Sequence, residues 1–348
     1  MKKPDRKRLL LLTRRAERRI LREYRKRKSR KVRRIRRSRQ SRQYHLRTVK
    51  IHAPVAFRIA SGDAEHRETL LTFLARVEAA LARGSRVRIL FEQTKTLSPD
   101  GTLLFVATIQ SLSAAYPGRI SSDYPADDIV EQLFQHIGLL DELGNSPRKV
   151  VTADNVKYWH FLQGTIADPS GFMQLFAAFA SQIGSETSAG LYESMSEAIT
   201  NVVQHAYDGL RPESLAAGVR WWMFAQQKDD RLDVAICDLG IGIPKSLAQK
   251  PEMADVLPNL LRRLHKRRSS GLIEVAVESS RSRTRLPHRG KGLPDMLIFS
   301  KNCKLGGFFV HSDTGFFMYR ADLKRESGRD HKTKIPGTLI HWQLDLPK

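Results

Sequence analysis

From Val49 onward the apolar positions follow two alternating periods, two residues for strand and about 3.6 for helix. VKIHAPVAFRI reads as strand. HRETLLTFLARVEAALARG then places Leu70, Leu71, Phe73, Leu74, Val77 and Leu81 on one helical stripe that stops at Gly84. RVRILFE is a short strand, and GTLLFVATIQSLSAAYPG is an apolar helix ending before Pro117. ADDIVEQLFQHIGLLDELG is a third helix, with Asp127 and Asp128 in its first turn. Strands alternating with helices predict a small α/β unit over 46–150.

The order changes after residue 150. SGFMQLFAAFASQIG predicts an apolar helix, and the next helix buries Leu191, Met195, Ala198, Ile199, Val202, Val203 and Ala206. GVRWWMFAQQ and RLDVAICD, joined by KDD, predict a hairpin. A long polar stretch, Lys245 to Arg289, leads to a helix after Gly292. GGFFVHSDTGFFMYRAD and PGTLIHWQLDLP then read as antiparallel strands joined by Gly and Asp turns. Helices on one face of a mixed sheet fit this order, an α/β (α+β) sandwich over 151–348 with no internal repeat.

Residues 1–45 follow neither period, and charge explains why. The 348-residue chain carries a formal +24, yet residues 1–50 hold 24 of its 60 Lys and Arg and three of its 36 acids. That leaves 36 basic and 33 acidic residues in a nearly neutral body. Like charges at helical spacing disfavour a free helix, so the arm is expected to be disordered until it meets an anionic partner. Non-specific nucleic acid is one such partner, bound with steep salt dependence, and an anionic membrane surface is another. With only Tyr24 and Tyr44 in the arm, base-specific readout is not expected. The arm also reads simply as a solubilising tail. No apolar run approaches the ~18 residues of a membrane span. Leu9–Leu12 is too short, and its surroundings too Arg-rich, for a secretory signal. Cys237 and Cys303 are too few for a disulfide framework. A cytoplasmic protein without a transmembrane segment is expected.

Candidate chemistry starts in SEAITNVVQHAYDG, Ser196 to Gly209. Glu197, Asn201 and His205 recur every four residues, on a face apart from the apolar stripe. An amide oxygen with phosphate oxygens is a reasonable Mg2+ shell, and a carboxylate one turn earlier could orient or deprotonate a water. His205 reads as structural, packed on the sheet or capping a turn. In ICDLGIGIP a strand delivers Asp238 to its end, able to accept from an exocyclic amine, and Gly240 and Gly242 follow. In PHRGKGLPDML, Gly290 and Gly292 flank Lys291 at a helix start, a setting that binds anions. PGTLIHWQLDLP places the Thr338 hydroxyl after a glycine on a late strand.

Together these pieces resemble the GHKL superfamily of ATPases and kinases over about 165–348. E-x-x-x-N is similar to its N box, D-x-G-x-G and G-x-G-L to its glycine boxes, and Gly-Thr to its last motif. The run into His-Ala-Tyr most resembles the anti-sigma serine kinase branch. The resemblance implies ATP and Mg2+ as cofactors, with Asn201 as the metal ligand and Glu197 as the base-like catalytic carboxylate. It implies that Asp238 reads adenine with Thr338 near the base. Gly240, Gly242, Gly290, Lys291 and Gly292 would form the nucleotide loops, under a lid over Lys245–Arg289. Pro294, directly after Gly-Leu, departs from the pattern.

RVRILFEQTKTLSPDGTLLFVATIQSL with QLFQHIGLLDEL resembles the STAS domain of anti-sigma-factor antagonists. Phosphorylatable members place Ser or Thr before the loop glycine. Asp100 stands there instead, either mimicking a phosphate charge or playing no switch role.

The resemblances imply a regulatory protein in which Mg-ATP controls a partner, sigma-factor-like or another regulator. An anti-sigma-type serine kinase is the runner-up, and a nucleic-acid adaptor acting through residues 1–45 is the third reading. The oligomeric state is open, a homodimer included. An autophosphorylating histidine kinase is disfavoured, because His66 and His136 lie in the other domain and lack the usual acidic neighbour.

Overall fold

The computed structural model describes residues 47–59, 64–168, 183–210, 218–249, 253, 258–259, 262, 269–278, 292–303 and 306–346. The basic arm, nearly all of SGFMQLFAAFASQIG, Gly290, Lys291 and much of the expected lid lie outside them. The architecture is mixed α/β, with parallel and antiparallel sheets. Among the described residues no helix is long and apolar enough to cross a membrane.

In the first unit, β1 (Thr48–His52), β3 (Arg86–Leu90) and β5 (Ile120–Ser122) pair in parallel, in that order. A short parallel pair, β2 (Ala56–Phe57) and β4 (Thr96–Leu97), lies beside them. Parallel neighbours need crossovers, which α1 (Ala64–Ala82) and α2 (Pro99–Ala115) supply. Between them Phe57 and Phe105 meet with ring centroids 4.7 Å apart.

The expected single helix after Asp127 is two: α3 (Asp128–His136) and α4 (Leu139–Glu142). Gly138 sits between them at φ +74°, a left-handed conformation that ends the first helix and re-aims the second. The Asp127 carboxylate caps α3, accepting from Ile129 N at 3.0 Å and Val130 N at 3.2 Å. Asp127→Ala is expected to lower stability by about 1 kcal/mol, read as a lower urea midpoint at unchanged m-value.

Asp100 is buried, and its carboxylate accepts from Ile59 N at 3.1 Å, from Gly101 N at 2.7 Å and from the Ser98 hydroxyl. It braces its own loop.

After the short α5 (Asp154–Lys157) comes a five-stranded sheet, β6 (Trp159–Gly164), β7 (Trp221–Lys228), β8 (Arg231–Asp238), β9 (Gly306–Arg320) and β10 (Arg325–Asp345). Its order is β6-β7-β8-β10-β9. Every pairing is antiparallel, which corrects the expected mixed sheet. Tight turns explain it: Asp229, at φ +53°, reverses the chain between β7 and β8, and Ala321–Lys324 does so between β9 and β10.

Both faces of this sheet are covered, where helices were expected on one. Met223, Ala225, Val234, Ile236, Ile340 and Trp342 face α6 (Ser185–Asn201), α8 (Ser269–Glu278) and α9 (Gly292–Asn302). Trp222, Phe224, Ala235, Cys237 and Leu339 merge instead with the core of the first unit, against α2. The Trp222 indole donates to Gln110 Oε1 at 2.7 Å across that seam. A consecutive apolar run such as WWMFA is what a strand buried on both sides requires. Helices α7 (Ile243–Gln249) and α8 also correct the polar reading of Lys245–Arg289, because Leu247 is buried and Ile273 and Val277 enter the core.

Candidate functional site

Helix α6 keeps regular geometry to Asn201 and then widens into a π-helical turn, Val202–Ala206. Such turns are rare and cluster at functional sites. Here the turn presents the Ala206 carbonyl, which accepts from Ile241 N at 2.7 Å. The loop after β8 lies so close that a Cβ on Gly240 would stand 2.0 Å from the same oxygen. Only glycine fits there, and a residue with any side chain would push the loop off the helix.

Strand β8 ends at Asp238, paired with Trp221 on one side and Thr338 on the other. Asp238 is buried, and its Oδ1 accepts from Gly240 N at 2.7 Å. Burial pushes its pKa up from 3.8 to about 7, against the bonds from Gly240 and Thr338, which lower it. A carboxyl left this close to neutral protonation is poised for a cationic or amine-bearing ligand that would hold it ionised.

Asn201, His205, Asp238, Gly242, Gly292 and Thr338 line a single cleft of about 150 Å³, with Ile236, Leu247 and Ile340 as apolar wall. Asn201 reaches the start of α9, where a Cβ on Gly292 would stand 2.6 Å from its Nδ2. The cleft therefore brings together residues from all four sequence motifs. Four expected members are missing from its lining, among them Gly240, which sits instead against the Ala206 carbonyl. Glu197 is exposed on α6, and Gly290 and Lys291 lie outside the described residues. His205 was expected to pack on the sheet or cap a turn. It is half-exposed, stands 3.8 Å from the Asp208 carboxylate and lines the cleft.

Three residues support the cleft: Ser312, which no motif marked, and Tyr207 and Gly337, which lie in the His-Ala-Tyr and Gly-Thr runs without a role of their own in the sequence reading. Buried Ser312 accepts from Ile243 N at 2.8 Å and donates to the Gly337 carbonyl at 3.0 Å, fastening the glycine loop to β9 and β10. Tyr207 donates to the Arg220 carbonyl at 2.6 Å and accepts from Leu239 N at 3.2 Å, joining the helix end to the loop. Gly337 stands where a Cβ would approach Asp238 Oδ1 to 2.7 Å. The polar break HSDTG inside an apolar strand was the available signal for Ser312.

A heterocycle with an exocyclic amine fits this chemistry, because a buried carboxylate and the neighbouring Thr338 hydroxyl supply an acceptor and a donor above apolar walls. Asn201 offers one neutral oxygen to a hard cation. Among the described residues no group of three or more His, Cys, Asp and Glu side chains gathers to hold a metal. A cation here would therefore depend on ligand oxygens. Compared with known proteins, the chain matches no family model and no curated sequence.

Proposed function

We propose that the chain binds Mg-ATP in a GHKL-like module, with its STAS-like module packed on the back of the same sheet, and that nucleotide state controls a protein partner. The observation carrying this reading is that Asn201 and the buried Asp238, from distant motifs, line one cleft together with Gly242 and Gly292. In it, Asp238 and Thr338 hold adenine, Asn201 contributes an oxygen to Mg2+, and Gly290, Lys291 and Gly292 hold phosphates. The magnesium neutralises phosphate charge; the chain's own residues select the base and position the tail.

Phosphoryl transfer to a serine of a partner is the second reading. Glu197 is the side chain the resemblance offers as its base, and its exposure outside the cleft lining favours sensing over transfer. The experiment is calorimetric titration of Mg-ATP into the full chain. Wild type is expected to bind one equivalent. Asn201→Ala is expected to bind about 10- to 100-fold more weakly and to lose the difference between magnesium and EDTA, since a hydrogen bond or ligand to a charged group is worth roughly 1.5–3 kcal/mol. An absence of heat at millimolar Mg-ATP would overturn the reading. Radiolabel passing from γ-labelled ATP to a co-purified protein would move the assignment to a kinase.

A further inference from the structure

The face of the sheet opposite the nucleotide cleft is apolar only at one end. Toward the other end the same alternation presents Gln226 and Lys228 on β7, Asp233 on β8, and His341 and Gln343 on β10. The first unit does not fill this end. Between the two lies a chamber of about 830 Å³, within the range of small-molecule sites.

Its charges are unbalanced. Three carboxylates line it, and each is already engaged by the protein. Asp100 braces its loop, and Asp127 caps α3. Asp233 accepts from His341 Nε2 at 2.8 Å and from Gln343 Nε2 at 3.0 Å. Arg58, Lys95, Lys228 and Arg329 also line it, and among the described residues no carboxylate pairs with any of them. Arg329 instead lies over the Phe316 ring, 5.3 Å from its centroid.

The second observation is a buried polar atom without a partner. His341 is 2% exposed and lines the chamber, and its Nδ1 has no hydrogen-bond partner. With Nε2 committed to Asp233, Nδ1 is the ring's remaining polar atom. Burial opposes a charge on this ring, but the bond to Asp233 and the charges of Asp233 and Asp100 outweigh it and raise its pKa above the ordinary 6.5. A protonated ring would turn Nδ1 into a donor at the floor of a basic chamber.

We propose that this chamber binds a small phosphorylated molecule, its phosphate received by His341 Nδ1 at the floor and by Arg58, Lys228 and Arg329 around the opening. Phosphate suits the arrangement because it accepts several charge-assisted bonds at once. The site is independent of the nucleotide assignment, which uses the other face of the sheet.

The test uses the full chain and inorganic pyrophosphate, without magnesium, at roughly 0.5 M salt to screen the arm. Wild type is expected to give saturable heat, and pyrophosphate is expected to move the assigned His341 ring resonances. The triple variant Arg58→Ser/Lys228→Ser/Arg329→Ser, which changes residues at the chamber's opening, is expected to fold and to bind at least tenfold more weakly. Undiminished affinity in the triple variant would place the binding on the arm or in the nucleotide cleft and overturn the proposal. So would an unmoved His341 ring, an absence of heat with wild type, or tighter binding of a phosphoserine peptide than of pyrophosphate.

Discussion

Asp238→Asn is expected to weaken the proposed nucleotide binding and at the same time to remove a pH dependence from folding. The carboxyl's folded pKa, about 7, stands above its ordinary 3.8. The folded chain therefore holds a proton that the unfolded chain releases across this window. The group's contribution is fully present below pH 4 and is lost as pH rises through 7, at about 1.4 kcal/mol per pH unit. Urea midpoints of wild type should fall along that slope, and those of Asp238→Asn should not. Nucleotide binding has the opposite sign. In the proposed site an adenine amine would donate to the ionised carboxylate, so wild-type affinity should rise about tenfold per pH unit up to about pH 7 and then level off. In the variant the amide oxygen is a neutral, weaker acceptor that does not titrate. Affinity is expected to fall at least tenfold at pH 8, by calorimetry, with the pH slope gone. A variant that keeps the wild-type slope in either measurement would remove Asp238 from the site.

Trp222→Ala is expected to be the most destabilising single change. The side chain is 1% exposed, on the sheet face that merges with the first unit. Truncating a buried tryptophan costs about 3–5 kcal/mol. The upper end applies, because the Gln110 Oε1 that accepts from the indole is left without its partner. Trp222→Phe keeps most of the apolar bulk and loses the bond, at about 1–2 kcal/mol. Because α2 and the sheet share one core, wild type should unfold in one transition by circular dichroism. Trp222→Ala should separate it into two, as the units lose their common filling.

Most elements were legible in the sequence because apolar period is a local property. Strand β3, helix α1 with its stop at Gly84, and the β7–β8 hairpin with its KDD turn all follow from short windows. The features that differ depend on distant partners. Gly138 reads as an ordinary interior residue of QHIGLLDEL until its left-handed backbone splits the helix. WWMFA records that both faces of β7 are buried, but not that α2 lies on the second one. The site follows the same division. Asn201, Asp238, Gly242, Gly292 and Thr338 were found from motif spacing and do line one cleft. Glu197 shares their spacing, yet four-residue recurrence sets only a helix face, and its exposure depends on what packs around that turn. His205 lines the cleft because the helix widens after Asn201, and no sequence period encodes that widening. Ser312 acts by bracing backbone, a role open to many residue types and so without a motif, and the same role for Tyr207 does not follow from the His-Ala-Tyr run that contains it.

Strands β8 and β10 line two cavities at once, one through each surface. Asp238 and Thr338 point one way, Asp233 and His341 the other, at an odd number of positions from their strand-mates. Inserting a single amino acid between Asp233 and Asp238, or between Thr338 and His341, would therefore leave one residue of that strand in place and turn the other to the wrong surface. A two-residue insertion would preserve the side and displace only the position along the strand. The four residues between Asp233 and Asp238 and the two between Thr338 and His341 thus set a parity that exchanges of side chain respect and single insertions do not.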